Sequence, residues 1–234
     1  MLLAGCAGND EQENALLRDV THAYETAERA LNNQNYRRAI QIYEALQARF
    51  PFSDLSKQIQ LNLMYAYYKS GRTEEAIGAA DQFIQENPIH ARVDYALYIK
   101  ALAYFERDPG VLERWFRKDV ANRPPKDGAL SFSLLRRLVE RYPASPYAED
   151  ARQRMVYLRN RLLAYENTVA DYYLRRGAYV AALNRAKNAL EEYNGADGSD
   201  RTLAIMVEAY EGLGMTRLAA DTRRVLESTY ASGG

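Results

Sequence analysis

The chain contains few of the residues that catalysis, metal binding and disulfide formation require. Its 234 residues include one cysteine, Cys6, and two histidines, His22 and His90. A single cysteine excludes a disulfide within the chain, and two distant histidines without further cysteines do not make a zinc ligand set. The sequence also contains no glycine-rich phosphate loop and no nucleophile-elbow serine. These absences predict a protein that is not an enzyme and that binds no metal ion.

An excess of one charge and long apolar runs are also lacking. The 31 basic residues equal the 31 acidic residues in number, so the chain has no basic field that would attract nucleic acid. No segment is long and apolar enough to cross a bilayer as a helix. Hydrophobic residues make up 47% of the chain, which is ample for a buried core. We therefore predict a folded protein without a nucleic-acid partner.

A short apolar run at the N-terminus ends in Leu3, Ala4, Gly5 and Cys6. This tetrapeptide resembles the bacterial lipobox, in which the cysteine is lipidated and becomes the mature N-terminus. We expect a covalent lipid on Cys6, no other cofactor, and attachment to a membrane through that lipid; the alternative is an ordinary free thiol. Residues 1–19 are interpreted as the end of a signal peptide, the lipobox and a linker, because a whole export signal needs a basic start and a longer apolar run.

Alanine-rich amphipathic helix pairs recur along the chain, and a proline follows each of the first three pairs. These prolines are Pro51, Pro88 and Pro143. The second interval between them is longer than the first, which predicts an insert over 106–128 in the third pair. The pattern resembles the tetratricopeptide repeat (TPR), whose helix pairs must stack because one pair cannot bury its own apolar face. It predicts an all-α fold, a right-handed superhelix of about five TPR repeats with ten helices and an insert in repeat 3.

Glycines mark the turns inside the predicted pairs. Gly71, Gly177 and Gly214 fall where the first helix of a pair must end, and glycine readily adopts the left-handed conformation of such a C-cap. No glycine or proline occurs between residues 147 and 176. This segment therefore forms either one long helix or a kinked pair.

The first helices of the early repeats carry aromatic residues at positions that line the concave surface of a TPR array. The set is aromatic apart from one amide and comprises Tyr24, Asn62, Tyr65, Tyr68, Tyr95 and Tyr98. Tyrosine rings can stack on aromatic side chains while their hydroxyls bond a peptide backbone, so these residues are candidates for peptide binding. The alternative is that the tyrosines belong to the core between repeats.

The predicted insert contains the single tryptophan, Trp115, among arginine and lysine residues. An aromatic residue beside several cations can contact a partner protein or lipid head groups. The alternative is that Trp115 packs on the repeat beneath it.

The middle of the chain carries the most specific motifs. They lie at 161–166 (RLLAYE), 169–173 (VADYY) and 176–181 (RGAYVA), followed by Asn184 and Arg185. Together with the lipobox and the split third repeat, they resemble the BamD family, the TPR lipoproteins of the outer-membrane β-barrel assembly (BAM) machinery. The resemblance covers nearly the whole chain and weakens toward the C-terminus.

The resemblance implies a non-enzymatic scaffold that its lipid holds on the periplasmic face of the cell outer membrane. The C-terminal half, 144–234 with repeats 4 and 5, would dock on the periplasmic domains of BamA and contact other BAM lipoproteins, with Arg185 as the docking candidate. Trp115, in the insert of repeat 3, is a second docking candidate outside that half. The N-terminal half, 20–143 with repeats 1 to 3, would receive unfolded barrel precursors. Two alternatives are a periplasmic TPR adaptor for cell-wall synthesis or division and an adaptor for an envelope exporter.

Overall fold

The computed structural model describes residues 7–53, 55–107 and 124–230, with side chains from residue 18 onward. Within those ranges the chain forms ten α-helices and no strand. The helices are α1 (Ala7–Asn32), α2 (Tyr36–Arg49), α3 (Ser56–Lys69), α4 (Thr73–Glu86), α5 (Val93–Arg107), α6 (Lys126–Arg141), α7 (Ala148–Arg175), α8 (Tyr179–Glu192), α9 (Ser199–Gly212) and α10 (Thr216–Tyr230). The prediction of an all-α fold with ten helices is confirmed.

Short turns join the two helices of a pair. The predicted glycines Gly71, Gly177 and Gly214 each adopt a positive φ, between +68° and +77°. In the first pair Gln34 takes this left-handed position with a φ of 58°. There the next residue, Asn35, accepts a hydrogen bond on its side-chain oxygen from the backbone N–H of Arg38, at 3.2 Å, which caps α2.

The second helix of each pair buries a small residue one turn from its start. An alanine at this place lets the two helices of a pair approach closely, and it is almost completely buried in four pairs, as Ala39, Ala76, Ala182 and Ala219. Bulkier apolar side chains follow on the same face and fill the space between consecutive helices. The alanine-rich pattern of the sequence is thus the pattern of helix contact.

The chain divides into two compact units, which meet in sequence between Ala103 and Tyr104, inside α5. In unit 1, α1 packs on α2, α2 on α3 and α3 on α4, and Lys100 of α5 pairs with Asp81 of α4 at 2.5 Å. The predicted division into functional halves at 143/144 concerns function rather than compactness, and it stays a prediction.

In unit 2 each helix from α6 to α10 packs on the next, and α7 also packs on α9. The segment without glycine or proline forms one helix of 28 residues, α7. Buried side chains occur along most of it, from Ala148 to Ala170. Of the two structures that the sequence left open, the single long helix is therefore confirmed.

Several predictions fall on residues whose structure is not described. Cys6 and Trp115 lie outside the described residues, as does most of the predicted insert, which falls between α5 and α6. The handedness of the superhelix likewise stays a prediction. Among the described helices, none combines the length and the apolar character that a membrane span needs.

Candidate partner and peptide sites

Arg185 lies on α8 and pairs with Glu166 of α7, with 2.8 Å between Nη1 and Oε2. The arginine side chain is 40% exposed and the glutamate 18% exposed, so the arginine remains accessible from solvent. The pair borders a depression of about 590 Å³ whose other lining residues include Tyr173, Asn184, Asn188, Glu192 and Tyr193. The docking candidate from the sequence therefore lies at a concave, polar surface.

The far wall of this depression is held by contacts to α6. Arg136 pairs with Glu192 at 2.8 Å, and the rings of Phe132 and Tyr193 meet edge to face with centroids 5.7 Å apart. Burial, followed by the charges of Glu166 and Glu192, raises the pKa of Tyr193. The wall thus presents a hydroxyl that keeps its proton beside two carboxylates.

The loop between α8 and α9 is fastened to α7 by side chains. Asn160 donates to the carboxylate of Asp197 at 2.5 Å and accepts from its backbone N–H at 3.0 Å. The buried Asn167 donates to the carbonyl oxygen of Gly198 at 3.1 Å and accepts from the hydroxyl of Thr202 at 2.8 Å. These bonds connect α7 to the loop that follows α8, through Asp197 and Gly198, and to the first turn of α9, through Thr202.

In unit 1 a polar network brings together two of the predicted peptide-binding residues. The amide of Asn62 donates to the hydroxyls of Tyr24, at 3.1 Å, and of Tyr43, at 2.9 Å. The Tyr24 hydroxyl in turn donates to Glu28 at 2.9 Å, and Gln58 donates to the Asn62 oxygen at 2.8 Å. The network ties α1, α2 and α3 to one another, so Tyr24 and Asn62 have a structural role whatever else they bind.

Burial favours the neutral form of the tyrosines in this network. It is the main cause that raises the pKa of Tyr43 to about 12, and the charge of Glu28 adds to it while the Asn62 hydrogen bond opposes it. Burial, and then the hydrogen bond to Glu28, also raise the pKa of Tyr24.

We expect unit 1 to lose stability between about pH 10 and pH 12. The unfolded chain releases the tyrosine proton near pH 10, whereas folded Tyr43 holds it to about pH 12. Its contribution is therefore complete below pH 10 and falls as the pH rises, by about 1.4 kcal/mol per pH unit. Urea unfolding followed by circular dichroism at pH 9, 10 and 11 measures the slope. The same slope in Tyr43→Phe would contradict this assignment.

A second depression, of about 610 Å³, opens beside this network. Val20, Tyr24, Glu25 and Glu28 line it from α1, and Phe52, Ser53 and Leu55 line it from the connection between α2 and α3. The side chain of Phe52 is 97% exposed. Phe52 was not among the candidates from the sequence. Its place directly after Pro51, between two predicted helices, is the signal that could have indicated an exposed ring.

The other four candidates are half-buried on two helices, Tyr65 and Tyr68 on α3, Tyr95 and Tyr98 on α5. The guanidinium of Arg92 lies over the Tyr95 ring at 4.9 Å from its centroid. Their part in peptide binding stays a prediction. The described residues contain no group of three His, Cys, Asp or Glu side chains placed to hold a metal ion.

Comparison with known proteins identifies the relatives of this chain. A family model described as YfiO, outer membrane lipoprotein, matches residues 18–226. The outer membrane protein assembly factor BamD of Neisseria meningitidis serogroup A is 40% identical over 98% of this chain and 88% of its own. The protein of the same name from Vibrio cholerae is 36% identical over 97% of this chain and 93% of its own.

Among solved structures, the crystal structure of MamA protein aligns with 92% of this chain and 94% of its own, at 16% identity and a TM-score of 0.40. The family model spans nearly all described residues, including both depressions. The two relatives described above both carry the name BamD. The chain therefore belongs to the YfiO family of outer-membrane lipoproteins.

Proposed function

We propose that this protein is a non-enzymatic, lipid-anchored scaffold for outer-membrane protein assembly. Family membership and relatives named as outer membrane protein assembly factors support the assembly role. The lipobox-like Leu3–Cys6 tetrapeptide and the family's description as a lipoprotein support a lipid on Cys6, and with it a place on the periplasmic face of the outer membrane. The described part of the chain offers depressions lined by side chains for binding, as a scaffold requires.

The observation that carries the docking half of the proposal is the Arg185–Glu166 pair at the rim of its depression. Arg185 is tied to one carboxylate but exposed enough to meet a second one. A partner carboxylate can therefore pair with this guanidinium in a site already shaped by α7 and α8. The partner that we propose is the set of periplasmic domains of BamA, with other BAM lipoproteins attached around it.

We expect Arg185→Glu to reduce recovery of BamA with this protein about tenfold, because it places two carboxylates together and repels a partner carboxylate. The measurement is a pull-down from detergent-solubilised envelopes, with co-purified proteins quantified by mass spectrometry. Circular dichroism of each purified variant verifies that it is folded.

Arg201→Glu is the matched control. Arg201 also pairs with a carboxylate of α7, Asp171, and its side chain is 44% exposed, but it lies in a different depression. This variant should recover BamA as the unchanged protein does. Recovery of cell-wall enzymes or exporter subunits without BamA would contradict the proposal and favour one of the two adaptor functions.

We propose the depression at Tyr24 and Phe52 as the place where unit 1 receives barrel precursors. Its apolar side is the exposed Phe52 ring with Val20 and Leu55, and its polar side is the pair of carboxylates Glu25 and Glu28. An aromatic side chain of an extended segment can stack on Phe52 while backbone N–H groups donate to the carboxylates.

We expect Phe52→Ser to weaken binding of a fluorescent strand peptide with alternating aromatic residues about fivefold, because the stacking surface is lost. Fluorescence anisotropy of the titrated peptide measures the dissociation constant. Ile89→Ser is the matched control, since Ile89 is 98% exposed in the connection after α4 and lies outside the depression. Equal losses in the two variants would contradict the placement of the site.

A further inference from the structure

The last helix, α10, can be compared with α8 position by position. Both are the second helix of a pair, and both bury an alanine at the same place, Ala182 in α8 and Ala219 in α10. Aligning these alanines places Leu183 opposite Ala220 and Ala186 opposite Arg223. The comparison shows what each flank of α10 is suited to contact.

One flank of α8 packs on the next repeat. Leu183 and Ala186 belong to the core cluster that includes Leu203 and Met206 of α9. The equivalent flank of α10 is polar and exposed, and its Arg223 pairs with Glu211 at 2.5 Å. A polar outer face of this kind is suited to solvent rather than to the apolar side of another helix.

The opposite flank of α8 lines the Arg185 depression, through Ala181, Arg185 and Asn188. It faces α6, since Glu192 on that flank pairs with Arg136. The alignment places Leu218, Thr222 and Val225 of α10 at the positions of those three residues. Leu218 is 46% exposed and Val225 is 51% exposed.

This flank carries two large apolar side chains in α10 and none in α4. In α4 the same positions hold Glu75, Ala79 and Gln82. The flank with Leu218 and Val225 corresponds in the repeat to the Arg185 flank of α8, and α9 packs on both α8 and α10. Lys187 of α8 lies over the ring of Tyr210 of α9, 6.0 Å from its centroid.

We propose that Leu218 and Val225 are an apolar extension of the Arg185 site and contact the same partner protein. The inference rests on the docking role proposed for Arg185. Two helices on either side of one helix lie within about 20 Å, at roughly 8–10 Å per helix contact. A standard protein interface of about 800 Å² per partner spans that distance. The partner thus carries a carboxylate for Arg185 and apolar side chains for α10.

A photo-cross-linking amino acid at position 188 and, separately, at position 218 tests this continuity in the full-length protein in intact cells. Mass spectrometry identifies the captured protein. We expect the same protein at both positions and no adduct at position 156, where Val156 is 49% exposed on α7 outside the depression. A different protein at 218, or none, would overturn the inference. The same protein at both positions, other than BamA, would overturn the proposed partner and leave the inference standing.

The double variant Leu218→Ser with Val225→Ser provides the quantitative test against the purified periplasmic domains of BamA. We expect about a tenfold rise in the dissociation constant, since the apolar contact is lost while Arg185 is retained. The circular dichroism spectrum should be unchanged, because both side chains are half exposed. Normal binding by this variant, together with a loss in Arg185→Glu, would overturn the apolar extension but not the docking site.

Discussion

Replacing Tyr43 with alanine is expected to lower the free energy of unfolding by about 4 kcal/mol, in the range measured for large aromatic residues cut to alanine in cores. Tyr43 is completely buried between α1, α2 and α3. The ring centroids of Tyr43 and Tyr24 lie 6.0 Å apart, and the Tyr43 hydroxyl accepts a hydrogen bond from the Asn62 amide. The substitution leaves a cavity and removes one hydrogen-bond partner of the half-buried Asn62 amide. Urea unfolding at neutral pH measures the loss.

Tyr43→Phe distinguishes the contribution of the hydroxyl to stability from that of the buried ring. It keeps the packing and removes one hydrogen bond, so we expect a loss of about 1 kcal/mol. A loss as large as that of the alanine variant would show that the hydrogen bond, rather than the buried ring, dominates. A loss below about 1 kcal/mol in the alanine variant would contradict the burial itself.

Replacing Asn167 with leucine is expected to cost about 2 kcal/mol, because one buried and one partly buried hydrogen bond are removed at about 1 kcal/mol each. Leucine has the same branched arrangement of side-chain heavy atoms, with methyl groups in place of the amide nitrogen and oxygen. The lost bonds join α7 to the carbonyl of Gly198 and to the hydroxyl of Thr202, which is completely buried. Denaturant unfolding gives the difference, and a double-mutant cycle with Thr202→Val isolates the bond between the two side chains.

Asn160→Leu is the control for this effect. Asn160 also bonds the loop before α9, through Asp197, but its bonds are exposed. Exposed hydrogen bonds are replaced by water, so we expect a loss below about 0.5 kcal/mol. Equal losses at Asn160 and Asn167 would contradict the claim that burial decides how much each bond contributes.

The helices and their turns could be predicted from the sequence because their causes are local. A buried alanine recurs where the two helices meet in four of the five pairs, as Ala76 and Ala182 show, and a glycine follows the first helix in three of them. The absence of glycine and proline between residues 147 and 176 left one long helix or a kinked pair possible, and the structure has the long helix α7. Each of these signals lies within one helix or one turn.

The contacts that build the sites could not be predicted in this way. Glu166 and Arg185 lie on different helices, and their pairing depends on how α7 and α8 pack. Asn62 was predicted to face a peptide groove, which stays a prediction, and its amide donates to Tyr24 and to Tyr43, a residue that was not among the candidates from the sequence. Which flank of a helix is covered is decided by its neighbours, and periodicity alone does not identify them.

The apolar flank of α10 illustrates the same limit. The sequence shows Leu218 and Val225 seven residues apart on a helix, a spacing typical of a buried stripe. The structure buries Ala219 instead and leaves Leu218 and Val225 half exposed. Only the comparison with α8 relates that flank to the Arg185 depression.

Depletion of this protein from living cells, followed by quantitative proteomics of the outer membrane, tests the central claim most directly. An assembly scaffold serves many substrates, so the account predicts that most outer-membrane β-barrel proteins fall together, before the cell wall changes. Complementation with the unchanged gene should restore them, and complementation with Arg185→Glu should restore them only in part. Unchanged barrel proteins, with a defect confined to cell-wall synthesis or to one exported polymer, would contradict the assembly function.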